Sequence, residues 1–197
     1  MAATVRGLVA LGLLSGLLTF APKQGSGQSS KVLTPQQRAY QAQRAAWLTR
    51  YSRLKAGAIA AYNAEQAHKK ASDCPDAMTT AAIVECMGKE TSITAANEKK
   101  FAANIRAMLN APAPELSGQL PAAGPSGSVP TAAEQLRAFD QMEADWANWS
   151  KTAQHVAFTQ GGGGTIAPIL ELQAQQQLLR SHMHDLHVVY GEMLANR

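Results

Sequence analysis

The sequence is poor in almost everything that marks an enzyme, a nucleic-acid binder or a membrane protein. Of 197 residues, 6% are aromatic and 16% charged, and only two are cysteine. There is no GxSxG elbow, HExxH helix or glycine-rich phosphate loop. The closest acidic pair on the third predicted helix, Glu143 and Asp145, is two positions apart, so the carboxylates face different ways instead of flanking a substrate. These absences lead to a non-enzyme reading with no cofactor. A net charge of +4 is too weak to indicate nucleic-acid binding. Valine and isoleucine are scarce and scattered, which disfavours sheet, whereas the abundant alanine and glutamine favour helix.

The only long apolar run is at the start. Met1–Arg6 is short and carries one positive charge, Gly7–Ala21 is uncharged and mostly apolar, and a polar, small-residue stretch follows. That is the layout of a secretory signal peptide. The run is shorter than the roughly 20 apolar residues that a membrane span needs. Pro22 disfavours cleavage after Ala21, so residues 1–27 are read as the signal, cut between Gly27 and Gln28. An uncleaved N-terminal anchor is the alternative. The expected location is periplasmic or extracellular, with no transmembrane span in the mature chain.

Export bears on the cysteines. Cys74 and Cys86 are twelve apart, with no CxxC and no nearby histidine pair to complete a metal site. A redox pair more often reads CxxC. In an oxidising compartment the remaining reading is a disulfide staple, Cys74 to Cys86.

The rest reads as helices. TPQQ at Thr34–Gln37 is a capping box with proline at the first helical position. Tyr40, Trp47, Tyr51, Leu54, Ala58 and Ala61 then recur on one helix face to about Lys70. Pro75 breaks the pattern, and Asp73, Asp76 and Thr79 offer caps for a second helix to Asn110. Its apolar line is Ile83, Cys86 or Met87, Ile93, Phe101, Ile105, Met108 and Leu109, weakest at ETSITAANEKK. Residues 111–130 are rich in proline, glycine, serine and alanine and read as a mobile linker. TAAE at Thr131–Glu134 opens a third helix whose apolar face includes Phe139, Met142, Trp146 and Trp149; both tryptophans are assigned to core. Gly161, Gly162, Gly163 and Gly164 end it. In the fourth helix Ile169, Leu172, Gln176, Leu179, Met183, Leu186, Tyr190 and Met193 alternate in steps of three and four. The fold class is therefore all-α: two helical hairpins, about four helices, over residues 28–110 and 131–197, joined by the linker and carrying one disulfide.

Charge is uneven. Lys31–Asn110 holds twelve basic and six acidic residues, and Thr131–Arg197 four and seven. The simplest account is two halves that attract each other; the functional account is a basic face toward an anionic envelope polymer. In HMHDLH, His184 and His187 are three apart on one helix face and could hold zinc or copper with a third ligand. His182 points away from that pair. A polar helix surface is the preferred reading, so no metal is assigned.

Three features in order resemble a known family. They are the Cys74–Cys86 spacing with Asp73 before it and a threonine-rich lead into Cys86, the tryptophan helix EADWANW at Glu143–Trp149, and the glycine turn GGGGTIAPILELQAQ at Gly161–Gln175 followed by the basic residue of QLLRSHMHDL. Together they resemble the lysozyme-inhibitor LprI-like family, small exported helical bacterial proteins, over roughly residues 73–190. The chain departs from that pattern at Glu143, where the family has glutamine, and at Ser150, where it has arginine. It also lacks a second cysteine pair, which would fall near Gln154 and Ala174. The resemblance implies a binding protein that blocks a lysozyme or related peptidoglycan hydrolase; because loops reach into clefts, the candidate contacts are the glycine turn Gly161–Gly164 and the turn at Cys74–Met78. The competing expectation is an envelope-associated protein whose basic first helix contacts anionic wall polymer or a membrane surface.

Overall fold

The computed structural model describes residues 33–71, 74–114 and 130–195. The predicted signal segment, Asp73 and most of the predicted linker lie outside the described residues. The chain divides into two units, residues 1–33 and 34–197, and the helices belong to the second.

Each helix begins or ends where local chemistry requires. α1 spans Pro35–Ala71, and at its start the Thr34 hydroxyl accepts from the Gln37 N–H while the Gln37 side chain accepts from the Thr34 N–H. α2 spans Thr80–Leu109 and is capped by the Thr79 hydroxyl, which accepts from Ala82 N–H. α3 spans Ala132–Gln160 behind a full capping box between Thr131 and Glu134. α4 spans Ala167–Val189, with proline in its first turn in place of a side-chain cap. A short α5, Gly191–Leu194, follows the break at Tyr190. Of the described residues, 84% are helical and none is in a strand. The predicted all-α class and the Cys74–Cys86 disulfide are both present. No described helix is long and apolar enough to cross a membrane.

α2 is the central element. It packs along α1 and α4 and more lightly on α3, which leans mainly on α4. Gly57 lets α1 approach α2 closely: a β-carbon there would lie 2.8 Å from the Asn104 side chain. α2 and α4 run in the same direction, since Ile83 shares a groove with Gln173 near their starts and Glu98 meets His182 further along.

The apolar core occupies one end of the bundle. Phe101, Ile105 and Met108 of α2 meet Ala58 and Ala61 of α1, Phe139 of α3, Met183 and Leu186 of α4, and Leu194 of α5. This end is closed by Trp47, whose indole N–H donates to the Ala111 carbonyl at 2.6 Å, and by Lys55, which donates to the Ala195 carbonyl.

Toward the other end the interior turns polar, and two sequence expectations need correction. Ile93 was placed on the buried line of α2 but is 46% exposed; Thr91, Thr94 and Glu98 face inward instead. Thr94 and Glu98 are tolerated there because they have charged partners on α1 and α4, whereas the Thr91 hydroxyl has no hydrogen-bond partner. Trp149 was assigned to core but is 58% exposed, and the next residue, Ser150, is buried in its stead. α3 is covered along one narrow side only, so just part of its broad apolar face is used.

Candidate functional site

Because α1 and α2 are antiparallel while α2 and α4 are parallel, the α1–α2 turn and the α3–α4 turn emerge at the same end of the bundle. The first turn is fixed by covalent chemistry. Cys74 in the turn is bonded to Cys86 in α2, with the Cα atoms 6.1 Å apart. The Ala77 N–H donates back to the Cys74 carbonyl at 3.2 Å. Met78, two residues before the helix, is 88% exposed. Both cysteine sulfurs are used in the bond, so neither is a thiol nucleophile.

The second turn is fixed by backbone geometry. Gly162 and Gly163 have φ of +63° and +71°, a left-handed conformation that residues with a β-carbon adopt at a cost. Gly161 is required for a different reason: a β-carbon there would lie 2.6 Å from the Ala167 Cα, so the chain could not enter α4. A groove of about 650 Å³ opens at this end between the stapled turn and α4, lined among others by Pro75, Ala77, Ile83 and Met87 on one side and by Gln176 and Arg180 on the other. Its lining mixes apolar side chains with amides and charges. A pocket of this kind can hold a chain segment from a partner by apolar burial and orient it by hydrogen bonds.

The bundle interior holds two buried ionic clusters, the first reaching the groove through Arg180. In the first, Glu65 of α1 is 1% exposed. It accepts from Thr94 at 2.9 Å, from Asn97 at 3.0 Å and from Arg180 of α4 at 2.8 Å. Three helices thus converge on one carboxylate, which satisfies a charge that burial alone would strongly disfavour. Arg180 is the basic residue of the QLLRSHMHDL run, and the structure gives it this role.

The second cluster joins α2, α3 and α4. His182 is 4% exposed. Its Nδ1 lies 2.9 Å from Glu98 Oε1 and its Nε2 lies 3.1 Å from Glu143 Oε1. The indole of Trp146 stacks on the imidazole, with ring centres 3.9 Å apart and planes 10° from parallel. Burial pulls the imidazole pKa down, but the carboxylates of Glu143 and Glu98 reverse that and hold it at about 9. The two carboxylates thus favour the charged form of His182, and the Trp146 face is well placed to interact with it.

The residues singled out in the sequence are distributed unevenly over this site. Cys74, Cys86 and Gly161–Gly164 belong to the two turns at one end. His184 is exposed, while His187 stacks against Tyr62 with centres 4.3 Å apart. His182, set apart from that pair by helical spacing, is the buried one. Glu143, set aside in the sequence as half of a catalytic pair and noted where the family has glutamine, is its partner, with 27% of its side chain exposed. No family model, curated protein or solved structure matches the chain.

Sequence reasoning missed Glu65, Glu98 and His182 as a group. Of the three, only Glu65 had a local signal, four positions after Ala61 on the inward line of α1. Their partners are 29 to 115 residues away, beyond the reach of local pattern.

Proposed function

We propose that the chain is an exported, non-enzymatic binding protein that blocks a lysozyme or related peptidoglycan hydrolase with the end of the bundle carrying both turns. One observation carries this reading: the stapled turn at Cys74–Met78, which lines a groove, and the glycine turn Gly161–Gly164 lie at the same end of the bundle. An inhibitor that enters an enzyme cleft gains affinity when its inserting loops are ordered beforehand, because less conformational entropy is lost on binding. A disulfide and a left-handed glycine turn both provide that order. Met78, exposed at the tip of the stapled turn, is the apolar anchor such a contact would use. The hydrolase class comes from the family resemblance in the cysteine spacing, the tryptophan helix and the glycine turn. Lysis of a peptidoglycan suspension by a panel of lysozymes, with and without the purified protein, tests it. Inhibition is expected for at least one enzyme and should fall at least tenfold with Met78→Asp. No inhibition at large molar excess across the panel would overturn the reading.

A second reading has its own observation. α1 is 37 residues long, about 55 Å, and its first half carries Arg38, Arg44, Arg50 and Arg53, all exposed. That stretch would suit an anionic wall polymer or lipid surface. Sedimentation with anionic wall fragments at low and high salt distinguishes it. Binding lost with Arg38→Ala, Arg44→Ala and Arg50→Ala together favours the envelope role, whereas unchanged or absent binding removes it.

A further inference from the structure

The cluster of Glu98, Glu143 and His182 has a property that an ordinary buried ion pair lacks. Nε2 of His182 and Oε1 of Glu143 form an ion pair at 3.1 Å, yet beyond each other neither buried atom has a partner. Both are buried, and the two are close but not aligned for an N–H···O bond. Buried polar atoms in folded proteins are nearly always paired, so an orphaned donor and acceptor facing each other point to a missing third party. At 3.1 Å no water fits between them.

A metal ion satisfies the separation. Zinc binds imidazole nitrogen and carboxylate oxygen at about 2.0–2.2 Å, so two ligand atoms 3.1 Å apart subtend roughly 95–100° at the ion, between octahedral and tetrahedral angles. One ligand atom from each of Glu98, Glu143 and His182 lies within 4.8 Å of the others. The three side chains come from α2, α3 and α4, so rigid helices fix the donor set. A route to the site exists as well. A pocket of about 280 Å³ opens beside Phe139, Lys99, Arg106 and Asp140, and Glu98 and Glu143 form part of its wall. Asp140 is paired with Arg106 at 2.7 Å, which reduces the repulsion an entering cation meets there.

We propose that Glu98, Glu143 and His182 form a binding site for one divalent first-row transition ion, with its open coordination position facing the 280 Å³ pocket. One imidazole with two carboxylates suits zinc, manganese or ferrous iron, and the nitrogen donor distinguishes the site from a calcium or magnesium cage. On binding, the ion displaces the Nε2 proton of His182 to solvent, while Nδ1–H keeps its hydrogen bond to Glu98 Oε1. Trp146, stacked on the ring, holds the imidazole plane in place.

The test uses the full chain without a histidine tag, freed of metal by a chelator and dialysed against zinc at pH 8. Bound zinc is read by elemental analysis and affinity by calorimetry. Close to one zinc per chain is expected. Glu143→Gln, nearly isosteric and at a partly exposed position, should weaken binding at least tenfold, since even outer partners of a metal ligand are worth that much. Glu98→Gln should act in the same direction, and circular dichroism should show both variants folded. His184→Ala and His187→Ala should leave the affinity unchanged. Cobalt in place of zinc should give an absorption spectrum typical of nitrogen and oxygen ligands that Glu143→Gln alters. Failure to bind zinc, binding that survives Glu143→Gln, or binding abolished by His184→Ala would each overturn the proposal.

Discussion

At the scale of single residues, this bundle uses buried charge where a helical protein commonly uses leucine. Glu65 illustrates the consequence. Removing it takes the shared acceptor from Thr94, Asn97 and Arg180 at once. Breaking one side of a buried ionic cluster destabilises by about 3–5 kcal/mol, whereas surface truncations stay near 0.5 kcal/mol. Glu65→Ala should therefore lower unfolding stability in urea by about 3 kcal/mol, and Ile93→Ala, at an exposed position, by well under 1 kcal/mol. A similar contrast separates two large side chains of α3. Phe139→Ala should cost about 3–5 kcal/mol and Trp149→Ala far less, as one is fully buried and the other exposed. Equal losses in either pair would contradict the inward face described here.

At the scale of elements, the ends of the helices carry the most predictable chemistry. Glu134 has its pKa held below the ordinary value by the Thr131 backbone N–H and hydroxyl, and Asp140 by the hydrogen bond from Arg106. A carboxyl with a depressed folded pKa contributes stability above its unfolded value and loses it as pH falls through the folded one. The docking of α3 should therefore weaken below about pH 4, the ordinary carboxylate range. Tryptophan fluorescence should register this, because Trp146 lies on α3, and Glu134→Gln should flatten the acid dependence. The glycine turn offers a second check. Gly163→Ala places a β-carbon in the left-handed region and should cost about 1–2 kcal/mol, even though the space around it is open.

These same elements show what was legible in the sequence. Helix starts at Thr34 and Thr131 and the stop at Gly161 could be read because capping and left-handed glycine are local events. The α4 seam was legible where Leu179, Met183 and Leu186 are buried. The middle of α2 was not. Thr91, Thr94 and Glu98 look like a solvent face until Glu65 and His182 are brought opposite, and only tertiary packing does that. Trp149 misled for the converse reason: an apolar face wider than its partner helix leaves one edge exposed. In HMHDLH the period separated His182 from His184 and His187 but could not say which side faced inward.

At the scale of the whole molecule, the bundle is polarised: an apolar core at the end closed by Trp47 and α5, and a polar, turn-bearing end with a disulfide, a glycine turn and a groove. The staple closes a loop of about a dozen residues and should contribute roughly 3 kcal/mol. The Cys74→Ser, Cys86→Ser double variant should therefore remain helical but unfold at lower urea. Its main effect should be on the ordering of the turn that presents Met78. The measurement that tests the central claim most directly is peptidoglycan lysis by a lysozyme panel, comparing the native chain with this double variant, so that the lysozyme's own disulfides are untouched. The account predicts inhibition by the native chain and at least tenfold weaker inhibition by the variant at a temperature where both are folded. Inhibition of equal strength from both would contradict a role for the stapled turn, and no inhibition from the native chain would contradict the hydrolase-binding function itself.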